Sequence, residues 1–324
     1  MGEFDLIARH FKRPVRRTAL GVGDDCALLA PRPGMQLAVS SDMLVEGRHF
    51  FADVDPQALG HKALAVNLSD LAACGAEPLA FTLALALPNA DDAWLAAFAR
   101  GLFALADAHG CELVGGDTTR GPLNICITVF GELPTGQALL RSGARAGDDL
   151  YVSGTLGDAR LALEALQGRV ALPPPLLAAA RQRLERPTPR VALGQQLRGV
   201  ASSAIDLSDG LLGDVGHVLH ASGVGARIQM ENAIECIATN SYGISAGSLF
   251  DQDFLLHCVL SGGDDYELAF TAPAAARAAV AAAALQAGTA VRRIGQIEAA
   301  PGLRVVDAAG RELALAFSSF DHFA

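Results

Sequence analysis

The spacing of hydrophobic and polar residues in the first half of the chain alternates between a helical and a strand period. It predicts helices over 3–11, 56–75 and 91–109. The second helix has Asp55 at its N-cap position and Pro56 in its first turn, where the missing proline amide costs no hydrogen bond. The sequence therefore predicts three helices, and the segments between them are long enough to contain strands.

Short apolar runs predict the strands that lie between these helices. Runs over 39–41 and 112–114 each end near an aspartate, Asp42 in the first case and Asp117, after two glycines, in the second. A strand that ends at an aspartate holds the backbone still while the carboxylate reaches into a cleft. Two further strands are predicted over 79–87 and 124–132.

Proline and glycine crowd the stretch 134–147, beyond which the same style of pattern begins again. A length of 324 residues also favours two domains over one core. We expect domains at 1–135 and 147–324, joined by a linker at about 136–146.

The second half has fewer clean periodic segments than the first. A loop-rich segment is expected over 231–249, and an alanine-rich surface helix over 274–284. The predicted strands are 149–153, a run into Asp206, 266–271 and 290–297. The other predicted helices are 156–167, 174–185, 189–199, one from Ser208 or Asp209, and one ending at Leu260.

Composition narrows the class of protein. Half of the residues are hydrophobic and 19% are charged, which is typical of a folded globular chain. The formal net charge of −10 argues against nucleic acid as a partner, because no basic stripe could neutralise phosphates. The one basic cluster, 9–17, is mixed with apolar residues and is interpreted as a solvated face.

The sequence also gives expectations for the compartment. The N-terminal residues lack the basic and apolar regions of a signal peptide, and the apolar run 79–87 is too short to cross a bilayer. The six cysteines form no C-x-x-C pair, so most are expected to be small buried hydrophobes. We expect a cytoplasmic protein with no membrane partner.

Carboxylates recur beside glycine or serine at the ends of apolar runs, which is the most informative chemical pattern of the chain. Converging carboxylates repel one another unless cations lie between them, and hard oxygen ligands suit Mg²⁺ or Ca²⁺. Turn and N-cap chemistry is the alternative for any single position; for the whole set we favour a site with several metal ions. The residues are Asp24, Asp25, Asp42, Asp70, Asp117, Asp206, Asp209, Asp264 and Asp265.

The predicted helix 56–75 carries further polar residues on one face. Lys62 and Asp70 are eight residues apart and Asn67 lies three before Asp70, so their side chains share that face. A cation and an amide beside a carboxylate suit a metal-phosphate cleft, but a partly solvated face with one salt bridge explains Lys62 equally well.

The two halves of the chain echo one another in short segments. Leu68-Ser69-Asp70 matches Leu207-Ser208-Asp209, and a Gly-Gly-Asp segment ends at Asp117 and again at Asp264. An ancient duplication and two independent strand-to-helix turns both explain these echoes.

Several common catalytic motifs are absent from the sequence. There is no P-loop, no protein-kinase motif set, no H-E-x-x-H and no G-x-S-x-G. Gly21-x-Gly23 lacks the third glycine of a dinucleotide fingerprint. These absences weaken redox, zinc-hydrolase and serine-hydrolase interpretations.

Taken in order, the Asp-rich segments resemble the thiamine-monophosphate kinases, a family of the aminoimidazole-ribonucleotide-synthetase-like ATP-binding superfamily. The resemblance spans nearly the whole chain. Its segments are Gly2-Glu3-Phe4, G-V-G-D-D-C-A-L-L at 21–29, Ser40-Ser41-Asp42, G-R-H-F at 47–50, K-A-L-A-V-N-L-S-D-L-A-A at 62–73, G-G-D-T-T-R-G-P at 115–122, R-S-G-A at 141–144, D-L-S-D-G at 206–210 and Asp321-His322-Phe323.

The resemblance implies a mixed α/β fold of two domains, with subunits that pair through their N-terminal domains as a homodimer. It implies ATP-dependent phosphorylation of thiamine monophosphate to thiamine diphosphate, with several Mg²⁺ ions. By resemblance, ATP contacts fall on Gly116, Asp117, Arg141 and Ser208, and acceptor contacts on His49, Asp264 and Phe317. The implied Mg²⁺ ligands are Asp25, Ser40, Ser41, Asp42, Asp70, Asp117, Asp206 and Asp209, of which Asp42, Asp70, Asp117 and Asp209 are also expected to be catalytic.

Three of these positions depart from the usual family pattern. Ser41 replaces a common threonine, Asp264 a common glutamate, and Phe317 a common tryptophan. The first keeps a hydroxyl or carbonyl ligand, the second shortens the side chain by one methylene, and the third keeps aromatic stacking without an indole N–H. These departures concern the details of substrate binding rather than the class of reaction.

Other interpretations within and beyond the superfamily remain. Selenophosphate synthetase is disfavoured because no cysteine lies in a glycine-rich N-terminal segment, and the hydrogenase-maturation dehydratases because the sequence ends Phe323-Ala324 without their terminal cysteine. Aminoimidazole ribonucleotide synthetase is the alternative enzyme. A sensor of nucleotide or thiamine phosphate is the alternative of another class, and acceptor-dependent ADP release separates it from a kinase.

Overall fold

The structure is a computed structural model that describes residues 3–237 and 250–314. Its contacts divide the chain into two compact units, one of residues 1–71 and 76–137 and the other of residues 72–75 and 138–324. Each unit contains one β-sheet with helices. The mixed α/β fold class predicted above is confirmed.

The first unit is built around a four-stranded sheet in the order β1-β4-β2-β3. Strand β4 is antiparallel to both of its neighbours, whereas β2 and β3 run parallel. Its elements are α1 (Glu3–His10), β1 (Met35–Val45), α2 (Pro56–Cys74), β2 (Glu77–Leu87), α3 (Asp92–His109), β3 (Glu112–Arg120) and β4 (Asn124–Pro134).

Helix α2 is buried on most sides, and its many alanine and leucine residues suit that environment. The amide of Gln57 donates to the Asp55 carboxylate at 3.1 Å, so the predicted N-cap is present. Helix α3 has the equivalent cap at Asp91 and ends at Gly110 in the left-handed conformation. The local signals for both helices were sufficient to predict them.

Two predicted strand ends are wrong. Strand β1 continues through Asp42 to Val45, because it pairs with β4 residue by residue over its whole length. Strand β3 continues through Asp117 to Arg120, because its ladder with β2 extends past the glycine pair. Both aspartates therefore lie within strands rather than at their ends.

The second unit contains a six-stranded sheet in the order β10-β7-β9-β5-β8-β6. Only the pair β10 and β7 is parallel among its described ladders. The elements are β5 (Asp149–Ser153), α4 (Asp158–Leu166), α5 (Pro174–Glu185), α6 (Val191–Leu197), β6 (Ser203–Asp206), α7 (Leu211–Ser222), β7 (Gly225–Gln229), α8 (Met230–Ile234), α9 (Gln252–Ser261), β8 (Leu268–Ala272), a 3₁₀ turn (Ala274–Ala276), α10 (Arg277–Ala287), β9 (Val291–Glu298) and β10 (Gly302–Val306).

Several details of the second unit correct the sequence expectations. Strands β7 and β10 were not predicted, and α7 begins at Leu211, after Ser208 and Asp209. The segment expected to be loop-rich begins with the short helix α8, and 238–249 lies outside the described residues. Asp206 does end strand β6, as predicted.

The segment echoes fall in different local structures. Leu68-Ser69-Asp70 lies inside α2, whereas Leu207-Ser208-Asp209 lies in the connection between β6 and α7. Asp117 lies in β3, whereas Asp264 lies in the turn after α9. The interpretation of the echoes as strand-to-helix turns is therefore wrong, because Asp70 lies within a helix and Asp117 within a strand.

Candidate functional site

In the first unit, helix α2 meets strand β1 through polar groups. The Ser40 hydroxyl donates a hydrogen bond to the Asp70 carboxylate. The main-chain amide of Asp42 donates to the Asn67 Oδ1 at 3.2 Å, and the Asn67 Nδ2 donates to the Ala63 carbonyl at 3.1 Å. The polar face predicted for the helix is thus placed against the strand that carries Ser40 and Asp42.

Lys62 is buried, with only 3% of its surface exposed. Its ammonium donates to the main-chain carbonyl of His49 at 3.2 Å, and the His49 Nδ1 accepts the Val45 amide at 3.0 Å. An accepting Nδ1 places the proton of the neutral ring on Nε2. The interpretation of Lys62 as part of a solvated face is therefore wrong, since the residue holds the main chain of His49.

Ser41 faces the side of the sheet opposite to Ser40 and Asp42, because neighbouring strand residues alternate. Its hydroxyl lies 3.0 Å from the Thr128 hydroxyl and donates to the Ile127 carbonyl at 3.2 Å. A Ser41 hydroxyl in this position cannot join the group formed by Ser40 and Asp70. Only its main-chain carbonyl is a candidate ligand on that side.

A cavity of about 280 Å³ brings Asp25 and Asp117 together. Its lining includes the segment with Gly23, Asp24 and Asp25, the pair Gly116 and Asp117, and apolar residues of α1 and β2. Asp117 is exposed, and its Oδ1 accepts the Thr118 amide at 2.9 Å. The cavity therefore combines carboxylates with an apolar wall.

Gly116 has a backbone conformation that suits glycine alone. Its φ is +145°, and a Cβ built there would lie 1.9 Å from the carbonyl oxygen of Leu83 on the neighbouring strand. The close approach of the two strands places the main chain of Gly116 beside the cavity, directly before Asp117.

In the second unit, the connection 207–210 carries Ser208 and Asp209 just after Asp206. Its main chain bonds to the turn after α9: the Asp264 amide donates to the Ser208 carbonyl at 2.9 Å and the Tyr266 amide to the Leu207 carbonyl at 2.8 Å. Two predicted site residues, Ser208 and Asp264, are therefore joined by one main-chain hydrogen bond.

Asp214, in the first turn of α7, holds the other side of the same connection. Its Oδ2 accepts the amides of Asp209 and Gly210, both at 3.1 Å, and its side chain is buried. Burial raises the pKa of Asp214 to about 7, and the amides of Asp209, Gly210 and Ser208 oppose that rise. Sequence reasoning missed this residue, although a carboxylate four positions after a glycine N-cap is a recognisable signal.

The turn that carries Asp264 is strained and firmly supported. Asp264 and Tyr266 have φ values of 66° and 49°, which are uncommon for residues other than glycine. The Tyr266 hydroxyl donates to the Asp264 Oδ1 at 3.3 Å, and the fully buried Glu267 accepts from Arg183 and Arg190. This support was also not predicted.

Asp265 lies inside the same turn. Both of its carboxylate oxygens accept the Gly157 amide, at 3.0 and 3.1 Å. Burial raises the pKa of Asp265 well above its usual range, although that amide opposes the rise. Asp265 therefore ties the turn to the start of α4 rather than reaching into a cleft.

The remaining predicted residues are placed less fully. Arg141 is exposed and its carbonyl accepts the Ser222 hydroxyl at 3.3 Å, while the preceding Leu140 carbonyl accepts the Ala204 amide of β6. Phe317 and the segment 321–323 lie outside the described residues. Within 3–237 and 250–314, no three side chains of His, Cys, Asp or Glu lie close enough together to hold a metal ion.

Three comparisons relate the chain to known proteins. The family models for the AIR synthase related protein match over both domains, the N-terminal domain at residues 23–133 and the C-terminal domain at residues 145–308. The thiamine-monophosphate kinase of Salmonella typhimurium is 47% identical over 329 residues, which cover 100% of this chain and 98% of that protein.

Solved structures agree with these sequence matches. The thiamine-monophosphate kinase of Stenotrophomonas maltophilia is 45% identical and has a TM-score of 0.81 over 93% of this chain and 94% of that chain. AaThiL complexed with AMPPCP and TMP is 29% identical and has a TM-score of 0.73 over 99% of this chain and 96% of that chain.

Proposed function

Because the chain belongs to the thiamine-monophosphate kinase family, within the AIR synthase related proteins, we propose that it phosphorylates thiamine monophosphate with ATP and releases thiamine diphosphate and ADP. The observation that carries this proposal is the 47% identity to the thiamine-monophosphate kinase of Salmonella typhimurium over the entire chain. The structure of AaThiL complexed with AMPPCP and TMP supports the choice of both substrates. Transfer from ATP to a phosphate acceptor is accordingly the proposed reaction.

The acceptor is already an oxyanion, so the reaction needs no strong general base. It needs alignment of two polyanions and neutralisation of their charge. At a formal net charge of −10, the protein supplies little of that neutralisation by its own surface, although Arg141 and Lys62 can assist. Bound Mg²⁺ would supply the remaining charge neutralisation.

The donor chemistry of the described residues fits Mg²⁺. Carboxylates of Asp25 and Asp117 line one cavity, and the Ser40 hydroxyl of the same unit donates a hydrogen bond to Asp70. Mg²⁺ typically binds one or two carboxylates together with substrate phosphates, so a preformed group of three carboxylates is not required. The proposed ligands are Asp25, Ser40, Asp42, Asp70, Asp117, Asp206 and Asp209 through side chains and Ser41 through its carbonyl. We also propose Asp42, Asp70, Asp117 and Asp209 as catalytic residues.

The protein's own groups bind and orient the two substrates. We assign ATP contacts to Gly116, Asp117, Arg141 and Ser208, and acceptor contacts to His49, Asp264 and Phe317. The hydrogen bond between the Asp264 amide and the Ser208 carbonyl supports placing these two contacts, one to each substrate, close together. Lys62 supports the assignment of His49, because it fixes the main chain at that residue.

Transfer is proposed to be direct, without a phosphoenzyme. Burial raises the pKa values of the Cys236 and Cys258 thiols to about 12, so neither is a nucleophile near neutral pH. The aspartates proposed for the site are assigned to metal or acceptor binding, and we infer that the acceptor phosphate is the attacking group.

We also propose that two copies pair through the first unit, as homodimers. Strand β1 is the last strand of its sheet, and its outward residues Leu37, Val39 and Met43 are exposed by 42%, 59% and 53%. An apolar strand face beside an open sheet edge favours burial against a partner. Residues 1–135 are thus the proposed nucleotide-binding and dimerisation domain, 136–146 the linker and 147–324 the C-terminal domain.

Two further observations concern the membrane and the cellular compartment. No helix of the described residues has the length and apolar character of a membrane span. All six cysteines are unpaired, which supports a reducing cytoplasm as the proposed compartment.

The proposal is tested by separating thiamine compounds chromatographically after incubation with ATP, Mg²⁺ and either thiamine monophosphate or thiamine. We expect thiamine diphosphate from the monophosphate and no phosphorylation of thiamine. Asp42→Asn and Asp117→Asn should each remove most of the turnover while the protein stays folded. Near-normal rates in both variants at saturating ATP and Mg²⁺ would contradict the metal assignment.

A further inference from the structure

The connection 207–210 carries Ser208 and Asp209, and groups outside the connection hold its main chain. The carbonyl groups of this connection bond to the turn that carries Asp264. Its amides have another partner, since the Asp214 Oδ2 accepts those of Asp209 and Gly210 at 3.1 Å each. One buried carboxylate therefore satisfies two consecutive amides.

The location of Asp214 explains why these bonds hold the connection in place. Helix α7 begins after Gly210, and the Asp214 amide donates to the Gly210 carbonyl at 3.0 Å. Glycine has no side chain to cap the helix, so Asp214 reaches back from the first turn as the acid of a capping box does. The carboxylate also lies at the positive end of the helix.

We propose that Asp214 is a positioning residue: it holds the main chain of 208–210 so that Ser208 and Asp209 point toward the Mg²⁺-nucleotide. This inference rests on the proposed function, which assigns those two residues to nucleotide and metal. Asp214 itself touches neither substrate in this assignment. Its effect passes through the amides that it accepts.

The position of the connection also matters for the acceptor. The Ser208 carbonyl accepts the Asp264 amide at 2.9 Å, so a displaced connection disturbs the turn on its other side. Loss of the Asp214 carboxylate should therefore weaken nucleotide binding first and acceptor binding second. A residue with a purely structural role would not produce that order.

The test uses Asp214→Asn, which keeps the shape of the side chain but replaces the charged acceptor of the two amides with a neutral amide oxygen. The matched control is Asp149→Asn, which removes another buried carboxylate of the same unit, one that is paired with Arg277 and Arg293 and has no assigned ligand. Both full-length variants are first compared with the wild type by circular dichroism, at a temperature below their unfolding transitions.

Mg²⁺-dependent binding of AMPPCP is then measured by calorimetry, and KM and kcat are measured for both substrates. For Asp214→Asn we expect about tenfold weaker AMPPCP binding, the effect of losing a charged acceptor from buried amides, and a higher Mg²⁺ midpoint. The KM for ATP should rise more than the KM for thiamine monophosphate, whereas Asp149→Asn should change neither. If Asp214→Asn does not accumulate folded, Asp214→Glu, which keeps the charge one methylene further away, is measured in the same way.

Unchanged AMPPCP binding and an unchanged Mg²⁺ midpoint in the folded variant would overturn the inference. Equal losses in Asp214→Asn and Asp149→Asn would do the same, because they would indicate a general loss of stability. Failure of the proposed function has a different signature: the wild type would then form no thiamine diphosphate, while its AMPPCP binding would still test the role of Asp214.

Discussion

The main-chain conformation at Gly116 leads to a quantitative prediction for Gly116→Ala. The φ of +145° lies in a region that residues with a Cβ rarely adopt, at a cost of about 1–3 kcal/mol. The new Cβ would also lie 1.9 Å from the Leu83 carbonyl oxygen, and relief of such overpacking costs a further 1–3 kcal/mol, approximately. We expect a loss of at least about 2 kcal/mol in the free energy of unfolding, roughly a 30-fold change in the folding equilibrium.

The matched control is Gly115→Ala, one residue earlier on the same strand. Its Cβ would meet only the Thr82 Cγ2, at an ordinary 3.8 Å, and Gly115 has no positive φ. Thermal unfolding followed by circular dichroism should show a melting temperature about 5–10 °C lower for Gly116→Ala and little change for Gly115→Ala. The folded fraction of Gly116→Ala should also show a raised KM for ATP. Equal melting temperatures for the two variants would refute the reasoning.

Four other predictions follow from the same structure. Arg277 and, less strongly, Arg293 hold the pKa of Asp149 below its usual value, so the stability that this carboxylate contributes is present above about pH 4 and is lost as the pH falls through its folded pKa. Urea unfolding at a series of pH values should therefore show a shallower acid decline for Asp149→Asn than for the wild type, by about 1–2 kcal/mol after screening of the half-exposed arginines. Light scattering should find a dimer that Val39→Asp dissociates and Leu285→Asp, a change at an exposed leucine of α10, leaves intact; a monomeric wild type at micromolar concentration would contradict the pairing. Ellman's reagent should react fastest with the exposed Cys26, and it should react with Cys126 only in the Val39→Asp variant, whose dimer is dissociated. Rapid reaction of the buried Cys258 would contradict the described core. Incubation with γ-labelled ATP alone should leave the protein unlabelled, and a stoichiometric label would disprove direct transfer.

Local sequence signals correctly predicted those helices and strands whose start and end are set by their own residues. Helix α5 begins at Pro174 and ends at Glu185 as predicted, and the apolar run of β5 was placed correctly over 149–153. Strand ends depend instead on distant partners. Residues 42–45 lie in β1, beyond its predicted end, because β4 pairs with them, and nothing within the segment itself requires that pairing.

Strands β7 and β10 show a second limit of sequence reasoning. Each has five residues, contains an arginine and begins with glycine, so neither has a long apolar run. Their stability comes from pairing with each other and from the β7–β9 ladder, which buries Ala226 and Ile228. Contacts between distant segments determine that these residues form strands, because their own residue types do not favour a strand clearly.

The same distinction applies to the candidate site. Residue types and motif order identified the aspartates, but spacing could not show that Lys62 is buried. Asp214, which accepts main-chain amides at the start of α7, was overlooked because none of the site motifs includes it, although an acid soon after a glycine N-cap is a recognisable signal. The roles proposed for the site residues remain predictions for the experiments above.

The most direct test of the central claim is the stoichiometry of ADP and thiamine diphosphate formed by the purified protein with ATP and Mg²⁺. With thiamine monophosphate present, the proposed kinase reaction predicts that both products appear in a one-to-one ratio. Without the acceptor, ADP formation should fall to the background rate. ADP release that does not depend on thiamine monophosphate, or an acceptor that remains unphosphorylated while ATP is consumed, would contradict the account.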